Sequence, residues 1–128
     1  MQIIELIGRI FISLVFLIAG FGKIFSYENT IDYMESFGVP GYLLIPAIIV
    51  EILFPLLVII GYKTKSSALI LALFSLLLAL VFHTDFSNQM QLISFLKNTA
   101  IMGGLLIIIS NKPQMCSIDY YLESKKGN

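Results

Sequence analysis

The sequence predicts an all-α protein: a four-transmembrane-helix bundle with a short amphipathic surface helix between the first and second spans. Three observations predict it. The 128 residues are 58% hydrophobic and only 12% charged, with a mean hydropathy of +0.92, whereas soluble domains carry roughly 25% charged residues. The apolar residues gather into four blocks of about 17 to 20 residues, the length a helix needs to cross about 30 Å of hydrocarbon. Runs such as Ser75 to Phe82 show no alternation of polarity, which excludes the other backbone-satisfying solution, a closed barrel. Eight basic and eight acidic residues leave a net charge of zero, so nothing points to nucleic acid.

The first block runs from Leu6 to Phe25, with Arg9 and Lys23 near its ends. It lacks the basic flank and small-residue cleavage site of a secretory leader, so it is expected to remain as a span. The connection after it, Ser26 to Gly41, holds Glu28, Asp32 and Glu35 at helical spacing, with Ile31, Met34 and Phe37 on the opposite side. This predicts an amphipathic helix on the bilayer surface, stopped by Gly38-Val39-Pro40-Gly41. The second block, Tyr42 to Ile60, is interrupted only by Glu51. A tight basic turn, Gly61 to Lys65, leads into the third block, Ser66 to Phe82, which carries no charge. The fourth, Ile93 to Ser110, has Lys97 and Asn98 in its outer part. Residues 1–111 thus read as one membrane domain, and 112–128 as a short polar tail, partly disordered beyond Leu122.

Four spans put both termini and the basic turn on one side. That side collects Arg9, Lys63, Lys65, Lys112, Lys125 and Lys126, against Lys23 and Lys97 on the other. The excess of basic residues predicts cytoplasmic termini. Cys116 is the only cysteine; in that reducing compartment it is expected to be structural, and no Cys-x-x-Cys pair supports thiol exchange.

Glu51 is the most informative residue. A carboxylate deep within a span must face the bundle interior, and such groups often serve function. It can carry a proton, or it can meet a cation. At 1.5 Å per residue, Arg9 lies about 8 Å from the middle of the first span and Lys97 about 9 Å from the middle of the fourth. Either is expected to reach Glu51, whereas Lys23 would have to stretch far inward. Arg9 and Lys23 are fourteen residues apart and share a face. The competing reading for all three cations is snorkelling to the nearest interface. His83, at the end of the third span, reads as an interfacial anchor or a hydrogen-bond donor. A lone His without partner ligands does not support a metal or haem.

Ala68, Ala72, Ser75 and Ala79 recur at spacings of four, three and four, a narrow face suited to close helix packing. Ala19-Gly20 and Gly103-Gly104 offer similar points of approach. Pro55 leaves the carbonyl of Glu51 without its intrahelical donor. No phosphate-binding loop, dinucleotide fingerprint, zinc-protease motif or nucleophile elbow occurs.

Taken together, the ordered residues resemble the DoxX family of small bacterial four-helix membrane proteins. The resemblance rests on Gly8-Arg9 opening the first span and Phe16-Leu17-Ile18-Ala19-Gly20-Phe21-Gly22-Lys23 closing it. It continues through Gly38-Val39-Pro40, Glu51, Gly61 with its basic turn, His83, Phe95-Leu96-Lys97-Asn98 and Gly103-Gly104. It implies a multi-pass protein of the bacterial cytoplasmic (inner) membrane. It further implies an accessory or quinone-associated subunit of a membrane redox complex, with a soluble or membrane redox protein as partner. Self-association into a homo-oligomer is a further expectation. Arg9, Lys23, Glu51, His83, Lys97 and Asn98 are then the candidate ligand-binding or polar-cluster residues. Quinone is the candidate cofactor, with nothing bound tightly. Two other roles remain open: a quinone-linked oxidoreductase in its own right, or a small-molecule or proton carrier that titrates Glu51.

Overall fold

The computed structural model describes residues 2–113 and 116–126. Among these residues six α-helices follow one another: α1 (Gln2–Phe25), α2 (Tyr27–Ser36), α3 (Leu44–Ile60), α4 (Thr64–Phe82), α5 (Gln89–Ser110) and α6 (Ile118–Lys126). A 3-10 turn, Gly41–Leu43, leads into α3. Four helices are long and apolar enough to span a membrane, from Ile3–Phe25 to Gln89–Ser110, and α2 is the short non-membrane helix expected between the first two spans.

α1, α4 and α5 begin earlier than their apolar blocks, whereas α3 begins at Leu44, two residues into its own. α5 starts four residues before Ile93, because Asn88 caps it: its side-chain oxygen accepts from the Met90 N–H at 2.9 Å. Hydropathy marks where a helix meets lipid, and backbone hydrogen bonding carries the helix on into its polar rim.

α1 packs on α3, α3 on α4 and α4 on α5, with a lighter contact closing α1 onto α5. Lipid offers no hydrophobic drive for this packing, so close backbone approach has to supply it. The expected small-residue face of α4 does so: Ala68, Ala72, Ser75 and Ala79 are all buried, with Ser67 and Leu71 beside them. Phe16, Val58, Leu71 and Leu105 fill the core around them. Large apolar residues such as Phe11, Ile18, Leu73 and Ile107 face outward, the inversion a hydrocarbon solvent requires.

The acids of α2 are exposed and Met34 is buried, as its pattern predicts. Its apolar side is spent on the end of the bundle itself. Tyr33 and Phe37 gather against Phe82 of α4, with ring centroids 5.5 and 5.1 Å away.

The tail differs from its sequence reading. Beyond Leu122 the chain continues as helix to Lys126; residues 127–128 lie outside the described residues. α6 is held by tertiary contacts that composition does not reveal. Asp119 accepts from the N–H groups of Lys63 and Thr64, each at 2.7 Å, and donates its own N–H to the Gly61 carbonyl at 2.7 Å. Gly61 is obligatory there. Its φ is +74°, and a Cβ would run into Ser117 and lie 2.8 Å from the Arg9 guanidinium.

Candidate functional site

α1 presents Arg9, Ser13, Phe16, Gly20 and Lys23 at spacings of four, three, four and three. This is one helical face, and it looks into the bundle: the first four are buried and Lys23 is half-buried. Gly20 sets the distance to α3, since a Cβ there would lie 3.0 Å from Ile52 and 3.2 Å from the Glu51 Cβ. One turn further on, Lys23 meets Glu51.

Glu51 is 1% exposed. Lys23 Nζ donates to both its oxygens, at 2.7 and 2.8 Å. The interior position of Glu51 is as expected, but its partner is not. Arg9 and Lys97 were the expected cations, and neither reaches it. The reason is directional. Helical side chains lean toward the N-terminus of their own helix. α1 and α3 run antiparallel, so Lys23 leans inward while Glu51 leans outward, and the two close the gap. Arg9 leans the other way, toward the end of α3.

There Arg9 donates from Nη1 to the Val58 and Ile59 carbonyls at 3.0 and 2.9 Å, and from Nε to Glu5 at 2.9 Å. Nη2 donates to the carbonyl of Cys116, whose thiol is free and exposed. A buried guanidinium thus donates to carbonyls of the last turn of α3, where a positive charge also suits the helix dipole. Arg9 is a clamp between α1, α3 and the tail.

Lys23 also lines a groove of about 630 Å³ at the α2 end of the bundle, walled by α2, the start of α3 and the second half of α4. Its lining is mostly apolar, with Met34, Leu44, Val50, Phe74, Leu78 and Val81 prominent. The polar atoms are few: Lys23, Thr30, Tyr33 and His83. His83 follows the last turn of α4, and its partial burial holds the imidazole below its ordinary pKa of 6.5. A neutral imidazole both donates and accepts hydrogen bonds.

The structure therefore brings Lys23, Glu51 and His83 to one end and sends Arg9 to the other. Lys97 and Asn98 do not line the groove. Lys97 lies on the exposed side of α5 beside Leu96, and Asn98 is half-buried. Thr30 and Tyr33, on α2, were not anticipated as lining residues; only the fold of α2 over α4 reveals them. Ser13 was also missed, although the α1 spacing places it in line. Its Oγ is buried and has no hydrogen-bond partner among the described residues. Among the described residues no three His, Cys, Asp or Glu side chains gather as a metal site would require.

The DoxX family pattern matches residues 4–84, which take in all but the first two residues of α1 and continue through α4, with both members of the buried ion pair. The chain belongs to the DoxX family. Two Escherichia coli (strain K12) proteins are similar over nearly the full length of this DoxX protein. Inner membrane protein YqjF is 39% identical over 120 residues, covering 94% of this chain and 92% of its own. Inner membrane protein YphA is 31% identical over 124 residues, covering 91% and 89%. No solved structure matches. With four spanning helices and these relatives, the DoxX protein described here is a multi-pass inner-membrane protein.

Proposed function

We propose that this DoxX protein is an accessory subunit of a membrane redox complex and that its groove beside Lys23 receives a quinone. The observation that carries this reading is the donor left over at Lys23. An ammonium has three N–H groups, and two of them are directed at Glu51. The third remains for a ligand in a groove that is otherwise mostly apolar. A quinone head supplies the matching chemistry: a flat apolar ring that fills the groove and a carbonyl that accepts a charge-assisted hydrogen bond. Glu51 holds the ammonium in place, and His83 offers a second polar contact at the rim.

In this reading the chain binds and orients the quinone, and electrons arrive from a soluble or membrane redox partner. The least buried span, α5, with Lys97 on its outer side, is the surface available to such a partner or to a second copy of the chain. A carrier that titrates Glu51 fits less well, because both oxygens of that carboxylate are occupied by Lys23. The basic residues at the end bearing the termini support placing that end in the cytoplasm.

The test is photolabelling of the purified protein in lipid nanodiscs with a photoreactive quinone analogue. Labelled peptides are expected from α2 and the second half of α4, with loss of labelling when excess unmodified quinone is present. Val81→Trp, which fills the groove without touching the ion pair, is expected to abolish labelling. Equal labelling of that variant would overturn the assignment.

A further inference from the structure

The opposite end of the bundle holds a second cleft, of about 570 Å³, which the quinone reading does not use. It is walled by the starts of α1 and α4, the end of α5, and α6. Its charges divide into those already engaged and those left over. Glu5 is turned to Arg9 at 2.9 Å, and both oxygens of Asp119 are filled by backbone N–H groups at 2.7 Å. The guanidinium of Arg9 is spent on carbonyls and Glu5. Left over among the lining residues are Lys63 and Lys65, with Glu123 as the remaining acid. Neither Lys63 nor Lys65 makes an ion pair among the described residues, and Lys63 Nζ stands 5.7 Å from the centre of the Tyr62 ring. The Ser66 side chain adds a hydroxyl to the lining.

The surplus is positive, so the complementary ligand is an anion. The position identifies which kind. The cleft lies where α4 begins and α5 ends, the end of the spanning segments, where hydrocarbon gives way to lipid headgroups. Ile108 forms part of its wall, and the two spans that meet there carry outward-facing apolar residues, Leu69 on α4 and Ile107 on α5. We infer that this cleft binds the phosphate of an anionic phospholipid, with Lys63 and Lys65 neutralising the headgroup and the acyl chains lying along α4 and α5. Basic pockets between spanning helices are a recurrent solution for such headgroups. The engaged acids have a part in this: Asp119 fixes the turn that carries Lys63 while its own charge is satisfied by amides.

Native mass spectrometry of the full chain, released from detergent with phosphatidylglycerol, phosphatidylethanolamine or inorganic phosphate, tests this. Phosphatidylglycerol is expected to be retained well above phosphatidylethanolamine. The Lys63→Gln/Lys65→Gln double variant is expected to lower that retention by about thirtyfold, and Lys97→Gln to leave it unchanged. Should the double variant lose its helical circular dichroism, Glu123→Gln carries the test in the other direction, since removing the remaining acid must raise retention. Equal retention of phosphatidylglycerol by the native chain and a folded double variant would overturn the site. Displacement of the lipid by inorganic phosphate alone would overturn its assignment to a lipid.

Discussion

Glu51 is 1% exposed, and the side chain of Lys23 is 25% exposed. The pair therefore straddles a boundary, with the acid inside the helix interface and the base at the edge of a groove. Taking both charges out of water is costly, and their mutual attraction offsets that cost only while both are present. Removing one partner strands the other. Lys23→Met is expected to destabilise the protein by about 3 kcal/mol, read as a lowered thermal midpoint in detergent. Lys23→Met with Glu51→Leu is expected to recover most of the loss, because no charge is then left unpaired. If the double variant is no more stable than the single one, the pair is not the main term at this position. Glu51→Gln is the milder change, since an amide still accepts a hydrogen bond. His83 gives a pH signature of its own. Its pKa in the folded protein lies below 6.5 because partial burial disfavours the imidazolium. The unfolded chain then binds the proton first as pH falls, so stability declines on acidification through about 6.5 and levels off below the folded pKa. The dependence is small at so open a position, and His83→Gln is expected to remove it from the pH profile of the melting temperature.

Among the elements, α1 and α6 act as ties for the others. α1 does so twice: Gly20 brings it close to α3, and Arg9 fixes it to the carbonyls of Val58 and Ile59. Gly20→Ala places a Cβ 3.0 Å from Ile52 Cγ1 and 3.2 Å from Glu51 Cβ, so α1 and α3 must give by a few tenths of an ångström and a modest fall in melting temperature is expected. Gly20→Leu is expected to push α1 from α3 and separate Lys23 from Glu51, with a fall in melting temperature much larger than that of the alanine variant. α6 is only nine residues long and polar, too short to be stable as an isolated helix. Its anchor is Asp119, which caps α4 in place of a local side chain. Asp119→Ala removes two charge-assisted acceptors and is expected to cost about 1 to 2 kcal/mol. It should also free α6, so that trypsin cleaves at Lys125 and Lys126 faster than in the native protein. Unchanged cleavage would mean that other contacts hold the tail.

At the scale of the whole molecule, hydropathy was enough to place four spans and the small surface helix, because crossing a bilayer leaves the backbone few choices. The α1 face from Arg9 to Lys23 and the small-residue face of α4 were readable for the same reason: helical spacing fixes which residues look inward. Which cation meets Glu51 was not readable from axial height alone, since the lean of the side chains in antiparallel helices reverses the ranking of Lys23 and Arg9. The groove was hidden because it exists only once α2 folds over the end of α4. The tail helix was hidden because its capping residue lies more than fifty positions from the amides it satisfies. The two ends of the bundle now differ in kind: one is an apolar groove with a single buried ion pair, the other a basic cleft clamped by Arg9 and Asp119. An even number of spans puts the Gly61–Lys65 turn and α6 on one side, and the Asp119 contacts require it. In a Cys116→Ser background, single cysteines at Lys65 and Lys125 are therefore expected to react with an impermeant maleimide from the same side. Cysteines at Glu28 and Asp85 should react from the other. Because the basic residues cluster with the turn and α6, intact cells are expected to protect the first pair and expose the second. Protection of Glu28 and Asp85 with exposure of Lys65 and Lys125 would invert the protein in the membrane and leave the bundle intact. A split within either pair would break the four-span topology itself.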